Sequence, residues 1–275
     1  MLFRSTAATG QGIVDMKSGD MIILSSLRAL QRVHMLDSAS FGVYLTGDEE
    51  VGAHPASVTR ADMIQKAKTF DVALSFESGK LNSAVTSRRG SGTWKINVSG
   101  IQAHSSGVFS EKSGFGAIYE SARILDTIRR VFSKEKNITI SPGTIAGGTE
   151  VTENDDNLEV SGKNNVIASN ATISGDFRYL KQSQFDSIQN KMSAIVGNFN
   201  LQGTHASIQF MEGIPPMEPK SGNKKLLQKL DSVNRVLGLG EVKSGNPNRR
   251  GAGDISFIAK YLDCIDGLGG SGKGA

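Results

Sequence analysis

The length, composition and charge of this chain suit a soluble globular protein and exclude several other classes. Its 275 residues, 38% hydrophobic and 21% charged, are enough for one large domain or two ordinary ones. No apolar run is long enough to span a bilayer, and the N-terminus lacks a secretory signal pattern. Because of the short apolar runs we do not expect a membrane as partner, and because the net charge of +4 is dispersed we do not expect a nucleic acid. The single cysteine, Cys264, excludes an internal disulfide and a thiolate metal site, and the compartment stays open.

Strands and helices alternate along the first ninety residues. Apolar residues at helical spacing predict helices over 18–36 and 57–68, and alternating apolar residues predict strands over 41–46 and 71–76. Alternation of strand with helix is typical of βαβ units, so we predict a mostly parallel sheet here.

The pattern changes after the polar, glycine-containing stretch at 87–92. The later segments are a half-buried strand, a long helix, two strands, a helix and a last strand, at 94–98, 113–132, 137–146, 165–178, 182–196 and 207–212. This βαββαβ order predicts the split-βαβ (ferredoxin-like) arrangement of four antiparallel strands with two helices on one face. Residues 147–164 are predicted to be a polar loop.

After a proline-rich segment at 215–219, the helix and strand pattern of the first ninety residues resumes. Helices at 222–237 and 254–262 and a short strand at 263–268 complete the chain. We therefore predict an α/β fold with a discontinuous catalytic domain, residues 1–90 and 214–275, and an α+β lid domain, residues 91–213, inserted in its middle.

Acidic residues follow the predicted strands of the first domain. The run Asp48-Glu49-Glu50 comes after one strand, Glu77 ends the next, and Asp15 follows a short apolar stretch. Ionised carboxylates at buried strand ends are costly unless a cation neutralises them, and divalent metals bind carboxylate oxygen well. Strand ends are also where α/β sheets bind ligands. For the acidic run alone, a solvated loop is the alternative interpretation.

Five segments occur in the order and spacing of one known family. They are GIVDMKSGD (12–20), TGDEEVG (46–52), LSFESG (74–79), SGIQAHSSG (99–107) and NNVIASNATISGDFR (164–178). Together they resemble the di-zinc exopeptidase and amidohydrolase family of carboxypeptidase G, aminoacylase and succinyl-diaminopimelate desuccinylase. The resemblance covers nearly the whole chain. It implies a zinc-binding domain with an inserted lid that usually dimerises.

The resemblance implies a role for each motif residue at a centre of two Zn²⁺, Co²⁺ or Mn²⁺ ions. Asp15 would bridge both metals, Glu50 would bind one and Glu77 the other. Glu49 would be the general base that takes a proton from the activated water. His104 would reach the active site of the neighbouring subunit and stabilise the oxyanion. From the residues alone, His104 is equally a polar residue in a strand–helix turn.

Three more residues match positions that bind substrate in the family. Asn165 and Arg178 belong to the lid, and a guanidinium at Arg178 would hold a substrate carboxylate bidentately. The alternative for Arg178 is a surface salt bridge. Gly251 resembles a glycine-rich turn near the substrate carboxylate, and Asp254 beside it also suits a helix N-cap.

The sequence departs from the family pattern at two histidines. An HxD motif before the bridging aspartate and a histidine after the C-terminal glycine-rich stretch are not found. We therefore expect a fragment cut at both ends, which as given would bind metal poorly and turn over slowly or not at all.

Two functions remain open from the sequence. The first is metal-dependent hydrolysis of a peptide or N-acyl amide bond next to a free carboxylate, by a homodimer that associates through the inserted domain. The second is a non-catalytic relative that binds a peptide or amino-acid derivative and dimerises in the same way. The presence of Asp15, Glu49, Glu50 and Glu77 together favours the first, because a binding protein has no use for a general base.

Overall fold

The computed structural model describes residues 2–4, 7–49, 55–154 and 157–272. The chain forms two compact units. Met1–Arg89 and Ile214–Ala275 make up the split unit, and Gly90–Gly213 make up the inserted unit.

The first segment of the split unit carries short strands and mostly short helices. The strands β1 (Leu2–Arg4) and β2 (Ala7–Thr9) pair antiparallel. The helices that follow are α1 (Ser18–Arg32), α2 (Ala56–Thr59) and α3 (Ala61–Ala67), and after them come the strands β3 (Val72–Leu74) and β4 (Ser83–Ala84). The two predicted helices are therefore confirmed, although Arg60 interrupts the second one between α2 and α3.

The inserted unit has the predicted order of elements. They are β5 (Gly90–Gly100), α4 (Ala117–Phe132), β6 (Thr139–Gly148), β7 (Glu150–Asn154), β8 (Asn157–Ser161), β9 (Asn170–Tyr179), α5 (Gln182–Gly197) and β10 (Thr204–Glu212). Apart from the β7–β8 hairpin, this is the βαββαβ succession that the sequence predicts.

The sheet of the inserted unit is antiparallel, with strand order β10-β5-β9-β6. Alternate residues of β5, including Trp94 and Ile96, are buried against the apolar faces of α4 and α5 in one core. Gly175 on β9 allows close packing, because a Cβ there would lie 2.0 Å from the carbonyl oxygen of Ser141 on β6 and 2.7 Å from Cζ2 of Trp94. The core thus fixes both helices on one face of the sheet.

The last segment completes the split unit with α6 (Ser221–Val236), β11 (Lys243–Ser244), α7 (Ile255–Ile258) and β12 (Asp263–Ile265). β12 pairs parallel with β3, and β11 pairs parallel with β4. Cys264 is buried in the core between these elements, as predicted. The fold class, a parallel α/β unit with an inserted split-βαβ unit, is confirmed. None of the helices in the described residues has the length and apolarity that crossing a bilayer requires.

The predicted strand at 41–46 is wrong. Within the described residues this segment pairs with no strand, and Phe41, Val43 and Leu45 are 50%, 53% and 68% exposed. Alternating apolar residues give only a tendency, since a strand also needs a neighbour that completes its ladder of hydrogen bonds.

The predicted loop at 147–164 is also wrong in part. It contains the β7–β8 hairpin, in which Val151 lies opposite Val160 and Glu153 opposite Leu158. The many polar residues of this stretch conceal the alternation of Val151, Leu158 and Val160, and the antiparallel ladder can form because both strands are adjacent in the sequence.

Candidate metal centre and substrate site

Glu77 and Asp15 are placed by close packing of backbone segments in the split unit. Residues 75–79 follow β3 and bond to the segment after β12, with the amide of Gly269 donating to the carbonyl of Glu77 at 2.9 Å. Gly19, at the start of α1, packs so closely on Phe76 that a Cβ there would collide with its backbone. The turn that carries Asp15, Ile13–Lys17, leads directly into this helix. The start of α1 therefore brings Asp15 to Glu77.

The structure brings three of the sequence-predicted site residues together. The pKa of Glu77 is raised to about 7, first by burial and then by the charges of Asp15, Asp266 and Glu49. Glu77 also lies within hydrogen-bonding reach of Asp15. A buried carboxyl group whose pKa is raised by acidic neighbours belongs to a site that a cation would stabilise.

Asp266 is a member of this group that the sequence analysis missed. It directly follows β12 and is fully buried, and its Oδ2 accepts a hydrogen bond from Nε of Arg88. Its Oδ1 is buried and accepts no hydrogen bond from the described residues. The signal that singled out Glu77, an acid just after a short apolar strand, would have found Asp266 as well.

The side chains present have the chemistry of a divalent metal site, but the described residues do not complete one. Carboxylate oxygens suit Zn²⁺ and other divalent ions, and the buried Oδ1 of Asp266 is one acceptor left over. Among the described residues, no group of three or more histidine, cysteine or acidic side chains is arranged to hold a metal ion. The predicted ligand Glu50 lies outside the described residues. Asp15 and Glu77 therefore fit such a centre as a partial donor set, with Glu49 beside them.

Asp48, the residue before Glu49, is held by a buried arginine that the sequence gave no reason to select. Arg60, between α2 and α3, is 4% exposed, and its Nη1 lies 2.8 Å from Oδ1 of Asp48. This guanidinium holds the pKa of Asp48 below its usual range. Arg60 therefore fixes the residue next to the predicted general base.

His104 and Asn165 meet in the inserted unit. The amide of Ser105 donates to the carbonyl of Asn165 at 2.9 Å, which joins the two segments. His104 is exposed and begins a short 3₁₀ turn, where its Nδ1 accepts from the amide of Ser106 at 3.3 Å. This is the strand–helix turn of the alternative interpretation, and the catalytic role of His104 stays a prediction.

Arg178 and Gly251 each have a partner within their own unit. On β9 of the inserted unit, Nε of Arg178 donates to Oδ2 of Asp176 at 3.0 Å in a partly exposed salt bridge. Gly251 lies in a turn of the split unit, and its carbonyl accepts from Nη1 of Arg88 at 2.8 Å. The salt bridge of Arg178 is the alternative that the sequence left open, so a carboxylate ligand would have to compete with Asp176.

Comparison with known proteins gives matches along most of the chain. Residues 86–204 match the model of the peptidase dimerisation domain. The chain is 27% identical over 225 residues to carboxypeptidase G2 of Pseudomonas sp. (strain RS-16), covering 81% of this chain and 50% of that protein. It is 25% identical over 222 residues to the succinyl-diaminopimelate desuccinylase of Dechloromonas aromatica (strain RCB), covering 76% and 55%.

Solved structures show the same fold at low sequence identity. Aminopeptidase PepT from Bacillus cereus ATCC 10987 superposes with a TM-score of 0.66 at 18% identity, covering 91% of this chain and 61% of that one. The Bacillus subtilis YXEP protein, described as a dinuclear metal binding peptidase from the M20 family, superposes with a TM-score of 0.54 at 13% identity, covering 79% and 52%.

The chain spans about half the length of the relatives it matches, 50% of carboxypeptidase G2 and 55% of the desuccinylase. The matched domain and the two relatives belong to the family that the five sequence motifs resemble. The resemblance to the carboxypeptidase G and desuccinylase family is therefore confirmed, and residues 86–204 are similar to the peptidase dimerisation domain.

Proposed function

We propose that the protein that carries this chain is a metal-dependent hydrolase of a peptide or N-acyl amide bond next to a free carboxylate. The observation that carries this proposal is the convergence of Asp15, Glu49 and Glu77, with the pKa of Glu77 raised to about 7 by burial and by the neighbouring acids. A buried carboxyl group with a pKa raised in this way is typical of functional sites. The likeness to carboxypeptidase G2 and to the desuccinylases supports the same reaction class.

Asp15 would be shared by two divalent ions, with Glu77 and Glu50 as further ligands. Such ions, when bound, supply Lewis acidity and lower the pKa of a bound water to about 7. Glu49 is the group of this chain that would accept the proton of that water and return it to the leaving amine. Asp48, held by Arg60 at 2.8 Å, keeps the backbone next to Glu49 in place for this transfer.

The substrate carboxylate would be held by Arg178, with Asn165 and the Gly251 turn as further contacts. A guanidinium matches a carboxylate with two parallel hydrogen bonds. His104, which would stabilise the oxyanion, belongs to the peptidase dimerisation domain, and the homodimer proposed from that domain would bring it to the neighbouring subunit's site.

The experiment compares an N-acetyl amino acid with its methyl ester as substrates. We expect the free acid to be hydrolysed and the ester to have a much higher KM. Arg178→Ala should raise the KM of the free acid only, since a hydrogen bond between charged groups contributes about 1.5–3 kcal/mol, or roughly 10- to 150-fold in KM.

A matched control is Arg129→Ala, because Arg129 is an exposed arginine of the same unit that also pairs with an aspartate, Asp126, at 2.7 Å. It should leave both KM values unchanged. Equal KM values for acid and ester in the unmodified protein would contradict recognition of a free carboxylate.

A further inference from the structure

Two buried arginines hold the same turn of the split unit, residues 251–254, from two positions. Arg60 is 4% exposed, and its Nε donates to Oδ1 of Asp254 at 3.1 Å. Arg88 is 5% exposed, and its Nη1 donates to the carbonyls of Gly251 and Ala252 at 2.8 and 3.0 Å. Both ends of the turn are therefore fixed by guanidinium groups that come from distant parts of the chain.

Each arginine has a second contact, and it leads to one of the two carboxylate segments. Nη1 of Arg60 lies 2.8 Å from Asp48, the residue before Glu49. Nε of Arg88 donates to Asp266, the buried acid whose charge acts on Glu77. Two guanidinium groups thus connect one turn with the segments of Glu49 and of Glu77.

Simple stabilisation is a weak explanation for this arrangement. Burying a guanidinium and a carboxylate costs hydration, and well-packed apolar residues often stabilise a protein as much as a buried ion pair does. The rigid fork of donors in arginine, by contrast, fixes the relative position of two or three acceptors, which a lysine ammonium cannot do. In addition, Oδ2 of Asp254 and Oδ1 of Asp266 are buried and accept no hydrogen bond from the described residues. Each of the two carboxylates therefore keeps one oxygen that can still accept a hydrogen bond.

We propose that Arg60 and Arg88 are positioning residues that fix the turn 251–254 relative to Glu49 and Glu77. The distance from this turn, which would lie near the substrate carboxylate, to the acids that would act on the scissile amide would then stay constant. The catalytic meaning of this spacing rests on the proposed function. The geometric part, a turn held by two arginines, does not.

The test uses Arg60→Lys and Arg88→Lys, which keep the positive charge but lose the fork. The matched control is Arg123→Lys in the inserted unit, where Arg123 pairs with Glu120, a fully buried acid. The measurements are thermal unfolding, affinity for zinc chloride by calorimetry, and kcat and KM for an N-acetyl amino acid. All three variants should lose stability.

The two positioning variants should differ from the control in binding and kinetics. We expect zinc affinity to fall about 10-fold in Arg60→Lys and Arg88→Lys, the lower end of the loss seen when outer contacts of a metal site are removed, because both arginines act on the neighbours of the site and not on the ligands themselves. Arg88→Lys should mainly raise KM, and Arg60→Lys should mainly lower kcat. Arg123→Lys should change none of these. If either lysine variant does not fold, Asp48→Asn or Asp266→Asn weakens the same contact by removing the charge of the acceptor, with little change of shape.

Unchanged zinc affinity and kinetics in both positioning variants would overturn the proposal. If the unmodified protein binds no zinc and hydrolyses nothing, the proposed function fails, and deuterium uptake decides the geometric part. Arg88→Lys must then raise uptake in peptides that cover 251–254, and Arg60→Lys must raise it there and in peptides that cover 46–49. Uptake equal to that of the control variant would overturn it.

Discussion

Glu120 on α4 provides a sharp test of how the inserted unit is held together. Its carboxylate is fully buried, accepts from Nε of Arg123 at 2.9 Å, and accepts from the amide of Leu201 at 3.0 Å. The change Glu120→Ala leaves a guanidinium and a backbone amide without their acceptor. Arg123 retains its bond to the carbonyl of Ile195 at 3.1 Å and is 22% exposed, so water can replace part of the loss.

The expected destabilisation follows from these contacts. Removal of one partner of a buried ion pair costs about 3–5 kcal/mol, and a buried amide without an acceptor costs about 1–3 kcal/mol. Because Arg123 is partly exposed, we expect the lower end of both contributions, about 4 kcal/mol in total. For a unit of this size, that corresponds to a fall in Tm of roughly 15 °C.

Trp94 makes the assay specific for this unit. It is the one tryptophan of the sequence and is 2% exposed in the core of the inserted unit, so its fluorescence reports unfolding there. The control is Asp126→Ala on the same helix, where an exposed acid pairs with Arg129 and Arg130. We expect the control to cost less than about 1 kcal/mol. A urea midpoint of Glu120→Ala equal to that of Asp126→Ala would refute the reasoning.

Three other predictions concern pH, reactivity and packing. The pKa of Glu77 is raised from 4.5 to about 7 in the folded metal-free protein, so the folded state is favoured fully below pH 4.5 and loses this contribution as the pH rises through about 7. Urea midpoints should therefore fall between these pH values in the unmodified protein more than in Glu77→Gln. Burial raises the pKa of the Cys264 thiol to about 12, so a disulfide reagent at pH 8 should label it only after unfolding, and rapid labelling of the native protein would contradict its burial. Gly175→Ala should destabilise the inserted unit by about 1–3 kcal/mol, because the added Cβ would lie 2.0 Å from the carbonyl oxygen of Ser141 and 2.7 Å from Cζ2 of Trp94. An unchanged fluorescence midpoint would contradict this close packing.

The inserted unit was predictable because its signals are local and strong. The alternation of Trp94, Ile96 and Val98 and the apolar stripe of α4 each contain the information for one element, and a compact antiparallel sheet follows from their order. The strand at 41–46 failed because alternation does not specify a pairing partner. The β7–β8 hairpin was missed because polar residues dominate its composition.

Only those residues of the candidate site were predictable that are acidic and follow a predicted strand or a short apolar stretch. Asp15, Glu49 and Glu77 carried that signal, and the structure brings them together. Arg60 and Arg88 carried none, because their partners Asp254 and Asp266 lie 194 and 178 residues away in the sequence. Such contacts depend on the tertiary fold, which periodicity does not encode.

The most direct test of the central claim is the zinc titration of the protein that carries this chain, before and after Asp15→Asn. If Asp15 joins Glu77 in a shared centre, the unmodified protein should bind about two zinc ions per subunit and the variant should lose both. Binding of zinc with unchanged stoichiometry and affinity by Asp15→Asn would contradict a metal centre built on these carboxylates.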